Sequence, residues 1–257
     1  MVAFLFIRAL NFYRILIGAS IEYLTNPLSE FLIMKKVLVA CEESQAVTLA
    51  FRERGFEAYS LDIKPCTGGH PEFHIQGDAL DYINDTSFDL MIAHPPCTHL
   101  ACSGARHFQK KIADGRQQQG IDLFMAFTRS KIKRWAIENP VGIMSNLYRK
   151  PDQILQPYFF GDEAVKTTCM WTKNLPNLKP TKIVGKGEIV TYKSGNRMSK
   201  WYSEISGLSP EERSTMRSKT FPGIAAAIAD QWGAYIMGEN GDATYQPDIF
   251  DVMNGED

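Results

Sequence analysis

The sequence predicts an α/β fold, a parallel sheet with helices on both faces, and three observations carry that expectation. Short apolar runs of strand length alternate with helix-length segments through most of the chain, the βαβ rhythm of a parallel sheet. Two of those runs, Asp89-Leu-Met-Ile-Ala93 and Arg134-Trp-Ala-Ile137, end in short proline-containing motifs, as buried neighbouring strands do when their carboxyl ends carry chemistry. The chain has 257 residues with 44% hydrophobic content, enough to bury one substantial core with a small appendage.

In chain order, Val37-Leu-Val-Ala40 supplies the first strand, at 36–40, and a turn of short residues leads from it into a helix at 45–54. Strands follow at 57–61, where Ala58-Tyr-Ser-Leu-Asp62 is apolar with an acidic end, and at 73–76, just before Gly77. The run at 88–93 gives a fourth strand and that at 134–138 a fifth, with a helix at 116–130 between them. Further helices are expected at 151–156 and, strongly apolar, at 222–237. Residues 98–115, with Ser103-Gly104, Arg106, His107, Lys110, Lys111 and Asp114-Gly115, predict a mobile basic loop. Internal repeats and low-complexity stretches are absent from the sequence.

The two motifs are His94-Pro95-Pro96-Cys97-Thr98 and Ile137-Glu138-Asn139-Pro140. A cysteine attacks electron-poor carbon well but needs help to ionise, and Pro95 and Pro96 hold its turn rigidly. A carboxylic acid kept protonated beside it can hydrogen-bond to a ring nitrogen and absorb the charge created. Cytosine suits the pair: thiolate addition at carbon 6, with protonation of nitrogen 3, makes carbon 5 an enamine nucleophile. That carbon then needs an electrophile.

Pro95-Pro96-Cys97 followed by T-x-L-A-x-S-G to Gly104, with Glu138-Asn139-Pro140, resembles the nucleophile and glutamate motifs of the cytosine-5 DNA methyltransferases. Motif order agrees over about Met34 to Gly233. The resemblance implies a Rossmann-like, S-adenosylmethionine-dependent methyltransferase fold and transfer of a methyl group to carbon 5 of cytosine in DNA. It implies Cys97 as nucleophile, Glu138 as the group that protonates and orients the ring, and Asn139 as the residue that fixes Glu138 or its strand end. It assigns the turn Ala40-Cys41-Glu42-Glu43-Ser44 to the methionine part of the cofactor. Asp62 and Ile63 fall to the ribose, Asp78 and Ala79 to the adenine, and Pro95 and Thr220 to the remaining cofactor contacts. Ser218-Lys-Thr-Phe-Pro-Gly223 is similar to the last family motif, which packs back on the cofactor. The chain departs from the pattern in several places. The first motif lacks glycine, Thr98 replaces a glutamine, Thr220 replaces an asparagine, and Lys166-Thr167-Thr168 is a faint counterpart of an arginine-rich motif.

Net charge is near neutral, with Lys+Arg 28 and Asp+Glu 29, but basic residues cluster. Between Lys166 and Lys219 eleven basic residues face four acidic ones, with Tyr192, Trp201 and Tyr202 interleaved. Such a segment fits a phosphate-tracking surface, so DNA is the expected partner. Thr98, Ser103, Arg106, Lys166, Lys200 and Arg217 are the expected DNA contacts, and in the resembling family the loop beside the nucleophile closes over a flipped-out base. The expected organisation is therefore an extension at 1–33, a catalytic cofactor-binding domain at 34–170 and 214–237, and a basic insert at 171–213. An acidic, flexible tail follows at 238–257. Met34-Lys35-Lys36 before a clean strand marks a natural start, with an amphipathic helix as the other reading of the extension.

Five cysteines without a C-x-x-C pair suit reduced thiols, and no membrane span or secretory signal stands out, so a cytoplasmic location is expected, in a bacterial or virus-infected bacterial cell. No metal is expected. A different class reads His70-Pro71-Glu72, Cys97 and Cys102 as a loose zinc deaminase site, with His94, His99 and His107 as further ligands. A third reads the chain as a silent DNA-binding module that kept the fold, supported by the glycine-free cofactor turn.

Overall fold

The computed structural model describes residues 34–238, so the expectations for the extension at 1–33 and for the tail beyond Gly238 lie outside the described residues. A seven-stranded sheet runs in the order β3-β2-β1-β4-β5-β7-β6. Its strands are β1 (Lys36–Ala40), β2 (Glu57–Asp62), β3 (His74–Gln76), β4 (Leu90–Ala93), β5 (Trp135–Pro140), β6 (Gln153–Leu155) and β7 (Thr168–Lys173). The five strands from β3 to β5 pair in parallel, while β7 runs antiparallel to both β5 and β6.

Alternate residues of each strand face opposite sides, and each side carries its own core. Val37, Val39, Leu90, Ile92 and Ala136 meet Val47 and Phe51 of helix α1 (Ala46–Glu53) and Ile228 and Trp232 of the carboxyl-terminal helix, Pro222–Met237. On the other face Leu38, Met91, Ala93, Trp135 and Ile137 meet Phe124 and Phe127. The helix that brings those two rings, Arg116–Thr128, is preceded by the short helix α2 (Phe108–Ala113) and is labelled α3. Helices on both faces are thus observed, and the central strands read as unbroken apolar runs because both faces are covered.

A four-residue turn of helix, α4 (Met144–Leu147), follows β5. The small insert is a hairpin of β8 (Ile189–Thr191) and β9 (Arg197–Ser199), followed by α5 (Lys200–Ser206) and α6 (Pro210–Ser218). The helix at Pro222–Met237, now α7, begins with proline at its first turn, where the missing N–H costs nothing. Gly223 is required there. A Cβ would collide with the Phe160 carbonyl, and the Gly223 N–H donates to Asp162 Oδ2 at 2.9 Å.

Three expectations are corrected. Residues 151–156 are not helical: Gln153–Leu155 is an edge strand, because the buried Gln153 amide bonds Leu178 in both directions and β7 offers a ladder. The insert does not begin at 171. Thr168–Lys173 is a core strand, and Trp171, with no exposure, packs edge-on against Phe124 at 5.1 Å between ring centres. Residues 98–115 are not an open loop but a 3-10 turn, Cys102–His107, leading into α2. Lys111 on α2 is buried and donates to the Thr98 carbonyl, which ties the segment down. Among the described residues, no helix is long and apolar enough to cross a membrane.

Candidate active site

The chain runs outward from β1 through β2 to β3, then returns to β4 on the other side of β1. A crevice opens at the carboxyl ends of strands where the order reverses in this way. The ends of β1 and β4 meet there, with His94 N–H donating to the Ala40 carbonyl at 2.9 Å. Pro95-Pro96-Cys97 continues from β4, and the adjacent β5 ends in Glu138-Asn139-Pro140.

Three connections stitch the two motifs together. His94 Nδ1 lies 3.2 Å from Glu138 Oε2, with both side chains largely buried. Asn139, itself buried, donates from Nδ2 to the Pro95 carbonyl at 2.8 Å. Beyond them Ala101 and Gly142 form a β-bridge, with Cys102 N–H donating to Val141 and Ile143 N–H to Leu100. A Cβ on Gly142 would collide with the Leu100 carbonyl, so glycine is needed for this close approach.

Charges converge on the same edge. Burial pushes the half-buried Cys97 thiol up, and so does Glu138, while Arg217 and Lys166 pull it down. Burial would raise the Glu138 carboxyl, but the hydrogen bond and charge of His94, with Lys166, hold it below the usual carboxylate range. Burial would depress His94, yet its bond to Glu138 and the charges of Glu138 and Glu42 hold it above the usual histidine value, against an opposing push from Lys166. The two shifts run toward an imidazolium paired with a carboxylate, whereas the motif alone suggests a carboxyl kept protonated. His94, the partner of Glu138, was not among the expected site residues. Its signal was adjacency, since it heads the same motif as Cys97.

Lys166, expected to contact DNA, is half-buried, and its Nζ donates to the carbonyls of Arg217, at 2.7 Å, and Lys219, at 3.1 Å. It lines a recess with His94, Glu138, Thr168, Thr220 and Phe221. Burial and Arg217 lower its affinity for a proton, and Glu138 and Cys97 raise it. Thr220 stands in the same recess.

On the other side of the crevice the turn after β1 takes left-handed backbone at Cys41 (φ 59°) and Gln45 (φ 59°), conformations that glycine would adopt more cheaply. Cys41 is pushed up to about 12 by burial and by Asp62, Asp78 and Glu43, so three carboxylates surround this turn. Asp62 at the end of β2 accepts from Lys64 N–H, and Asp78 accepts from Leu80 N–H. Ile63 beside them is 72% exposed and Leu80 43%, apolar surface at the strand ends. Ser44 is half-buried, and Glu43 accepts a bond from Ser218 at 3.4 Å.

Four of the residues expected to touch a cofactor have other tasks. Glu42 is buried and caps α1, accepting from Val47 N–H at 2.6 Å, Thr48 N–H and the Thr48 hydroxyl. Ala40 is a core residue whose carbonyl holds His94. Pro95 is buried under Asn139, and Ala79 is buried in the core below Asp78. Each of these four side chains faces inward, next in sequence to the crevice.

Among the expected DNA contacts, Thr98, Ser103, Arg106 and Lys200 are exposed, and Lys200 pairs with Glu188 at 2.8 Å. Arg217 stacks over the Tyr202 ring at 5.1 Å. Tyr202 also lines a groove of about 410 Å³ with Val165, Ile189, Arg197, Met198 and Ser199. Among the described residues, no group of three or more His, Cys, Asp or Glu side chains is arranged to hold a metal ion, and His70 pairs with Glu72 at the surface. The chain matches no model of a known protein family and no curated protein.

Proposed function

We propose that this chain is a DNA methyltransferase that modifies carbon 5 of cytosine through a covalent Cys97 adduct, with S-adenosylmethionine as cofactor. The observation that carries this reading is the stitching of the Cys97 turn to the Glu138 strand end, at the switch point of a parallel sheet. Two groups of the right chemistry share one edge, held by backbone and buried side chains rather than by mobile loops.

The residues present fit the cofactor. The turn after β1 takes left-handed backbone at Cys41 and Gln45, the conformation that glycine-rich turns favour, which supports a cofactor turn here. Glu43, Asp62 and Asp78 bring negative charge to that turn, which suits a sulfonium cation and ribose hydroxyls. Ile63 and Leu80 offer apolar surface to a planar base. When bound, S-adenosylmethionine supplies an electrophilic methyl group.

In this mechanism the chain's own residues activate the pyrimidine. Lys166 and Arg217 favour the Cys97 thiolate, whose sulfur adds to carbon 6. Glu138 faces nitrogen 3 and manages its proton. Once carbon 5 is substituted, its proton passes to water, the C–H electron pair restores the ring double bond, and the C–S bond breaks with its electron pair returning to sulfur. Exposed Thr98, Ser103 and Arg106, with the basic insert, follow the DNA backbone.

The decisive experiment incubates the protein with labelled S-adenosylmethionine and cytosine-containing DNA, then analyses nucleosides by mass spectrometry. Labelled 5-methylcytosine is expected from the wild type and none from Cys97→Ala, which should still bind S-adenosylmethionine in calorimetry. Full activity in that variant, or no product from the wild type, overturns the proposal.

A further inference from the structure

We infer that His94 is a positioning residue that carries the proton for Glu138, so that the pair, rather than the carboxyl alone, supplies the proton taken up at nitrogen 3. The inference rests on the methyltransferase reading above. Its basis is geometric. His94 Nδ1 and Glu138 Oε2 are 3.2 Å apart, and the side chains are only 8% and 18% exposed. One proton shared across that contact stays out of bulk water. His94 issues from β4 and Glu138 from the adjacent β5, so their separation is fixed by strand pairing.

The other ring nitrogen of His94, Nε2, is buried without a hydrogen-bond partner. His94 lines the recess that also contains Lys166, Thr168 and Thr220, with a volume of about 10 Å³. A recess of that size accommodates about one water, the kind of partner Nε2 lacks. The charged groups around the imidazole are Glu138 from β5, Glu42 from the turn after β1, and Lys166 from the segment before β7. The two carboxylates favour the imidazolium and the lysine opposes it.

The proton count balances. In the proposed resting state one proton lies across the 3.2 Å contact, on His94, with Glu138 a carboxylate. As the Cys97–carbon 6 bond forms, the His94 proton passes to Glu138 and a carboxyl proton passes to nitrogen 3, leaving neutral imidazole behind. When the C–S bond breaks, nitrogen 3 returns its proton to the pair. No external acid is consumed.

The test compares the full-length wild type with His94→Gln, using cytosine-containing DNA and S-adenosylmethionine. Glutamine can still donate an N–H to Glu138 but carries no titrating proton. A kcat lower by roughly a hundredfold is expected, the lower end of general acid catalysis, with little change in KM for DNA. In the wild type His94 loses its proton as pH climbs through its raised value, so kcat should fall there. In His94→Gln, Glu138 becomes the titrating group and the alkaline limb should move to lower pH. An unchanged kcat overturns the inference, and so does a lower kcat with an unmoved limb, which marks a purely structural role.

A second arm does not depend on activity. In NMR titrations of the histidine rings, the imidazole missing from the His94→Gln spectrum should titrate at lower pH in Glu138→Gln than in the wild type. An unmoved titration refutes the shared proton. A wild type inactive on DNA would remove the catalytic role along with the proposed function, while the NMR arm still decides whether the pair shares a proton.

Discussion

The side-chain amide of Asn139 donates to the Pro95 carbonyl across 2.8 Å, bolting the strand end that carries Glu138 to the turn that presents Cys97. The bond is buried, so its loss leaves a carbonyl with no access to solvent. Asn139→Ala should lower stability by about 1–3 kcal/mol, measured by urea unfolding. Methyl transfer well below the unfolding midpoint should fall further than the folded fraction does. Activity that tracks folded fraction alone would show that Asn139 holds the core but not the site.

Gly142 gives a sharper version of the same test, because it lies beyond the catalytic side chains. A Cβ at this position presses on the Leu100 carbonyl and parts the bridge between Gly142 and Ala101. Gly142→Ala should lower kcat roughly tenfold or more by shifting the Cys97 turn, since small displacements of a nucleophile are costly. Binding of S-adenosylmethionine, proposed at the turn after β1, should persist, as calorimetry would show. Equal loss of both would mean that the fold, not the turn, had failed.

Much of this arrangement was legible in the sequence where local chemistry and tertiary environment agree. The central strands announced themselves because both faces are buried, and Pro222 and Gly238 mark the ends of α7 where their backbone preferences are needed. Thr168–Lys173 was less legible, because a mixed run of threonine, cysteine and tryptophan becomes a strand only when β5 and β6 flank it. In the candidate site, the neighbouring placement of the Cys97 turn and the Glu138-Asn139 strand end was legible from two motifs that each follow a strand. The tethering of Lys166 was not, because it depends on carbonyls of Arg217 and Lys219 that arrive from far along the chain. The conformation of the glycine-free turn could not be read from its residues either. Left-handed backbone favours glycine but does not demand it, and at Gln45 a buried amide bonding the Ser60 hydroxyl and the His70 carbonyl compensates the strain.

Lys166 should tune the nucleophile. It and Arg217 oppose the burial and the Glu138 charge that push the Cys97 thiol up. Lys166→Gln removes one of two nearby cations, so the thiolate fraction at a given pH should fall. Alkylation of the Cys97 peptide by iodoacetamide, followed by mass spectrometry, should then be slower at neutral pH, with its pH midpoint displaced upward. Fragment ions that assign the alkylated sulfur to Cys97 separate it from the exposed Cys102 in the same stretch of chain. Faster or unchanged alkylation would show that Lys166 does not act on the sulfur.

The ion pair of His94 and Glu138 should also write a pH dependence into stability. Burial works against both charges, yet mutual attraction leaves Glu138 below its ordinary value of 4.5 and His94 above its ordinary value of 6.5. For the carboxylate, the stabilisation is complete above 4.5 and fades as pH falls through the depressed folded value. For the imidazolium, it is complete below 6.5 and fades as pH rises through the raised folded value. Both conditions hold together only between those two ordinary values. The stability difference between the wild type and Glu138→Gln, from urea unfolding at a series of pH values, should therefore be widest from pH 4.5 to 6.5 and shrink on either side. A difference that is flat across the series would mean the two side chains touch without sharing charge. One that rises to about pH 4.5 and then stays level to alkaline pH would mean that Glu138 is held by Lys166 instead, since that cation outlasts the imidazolium.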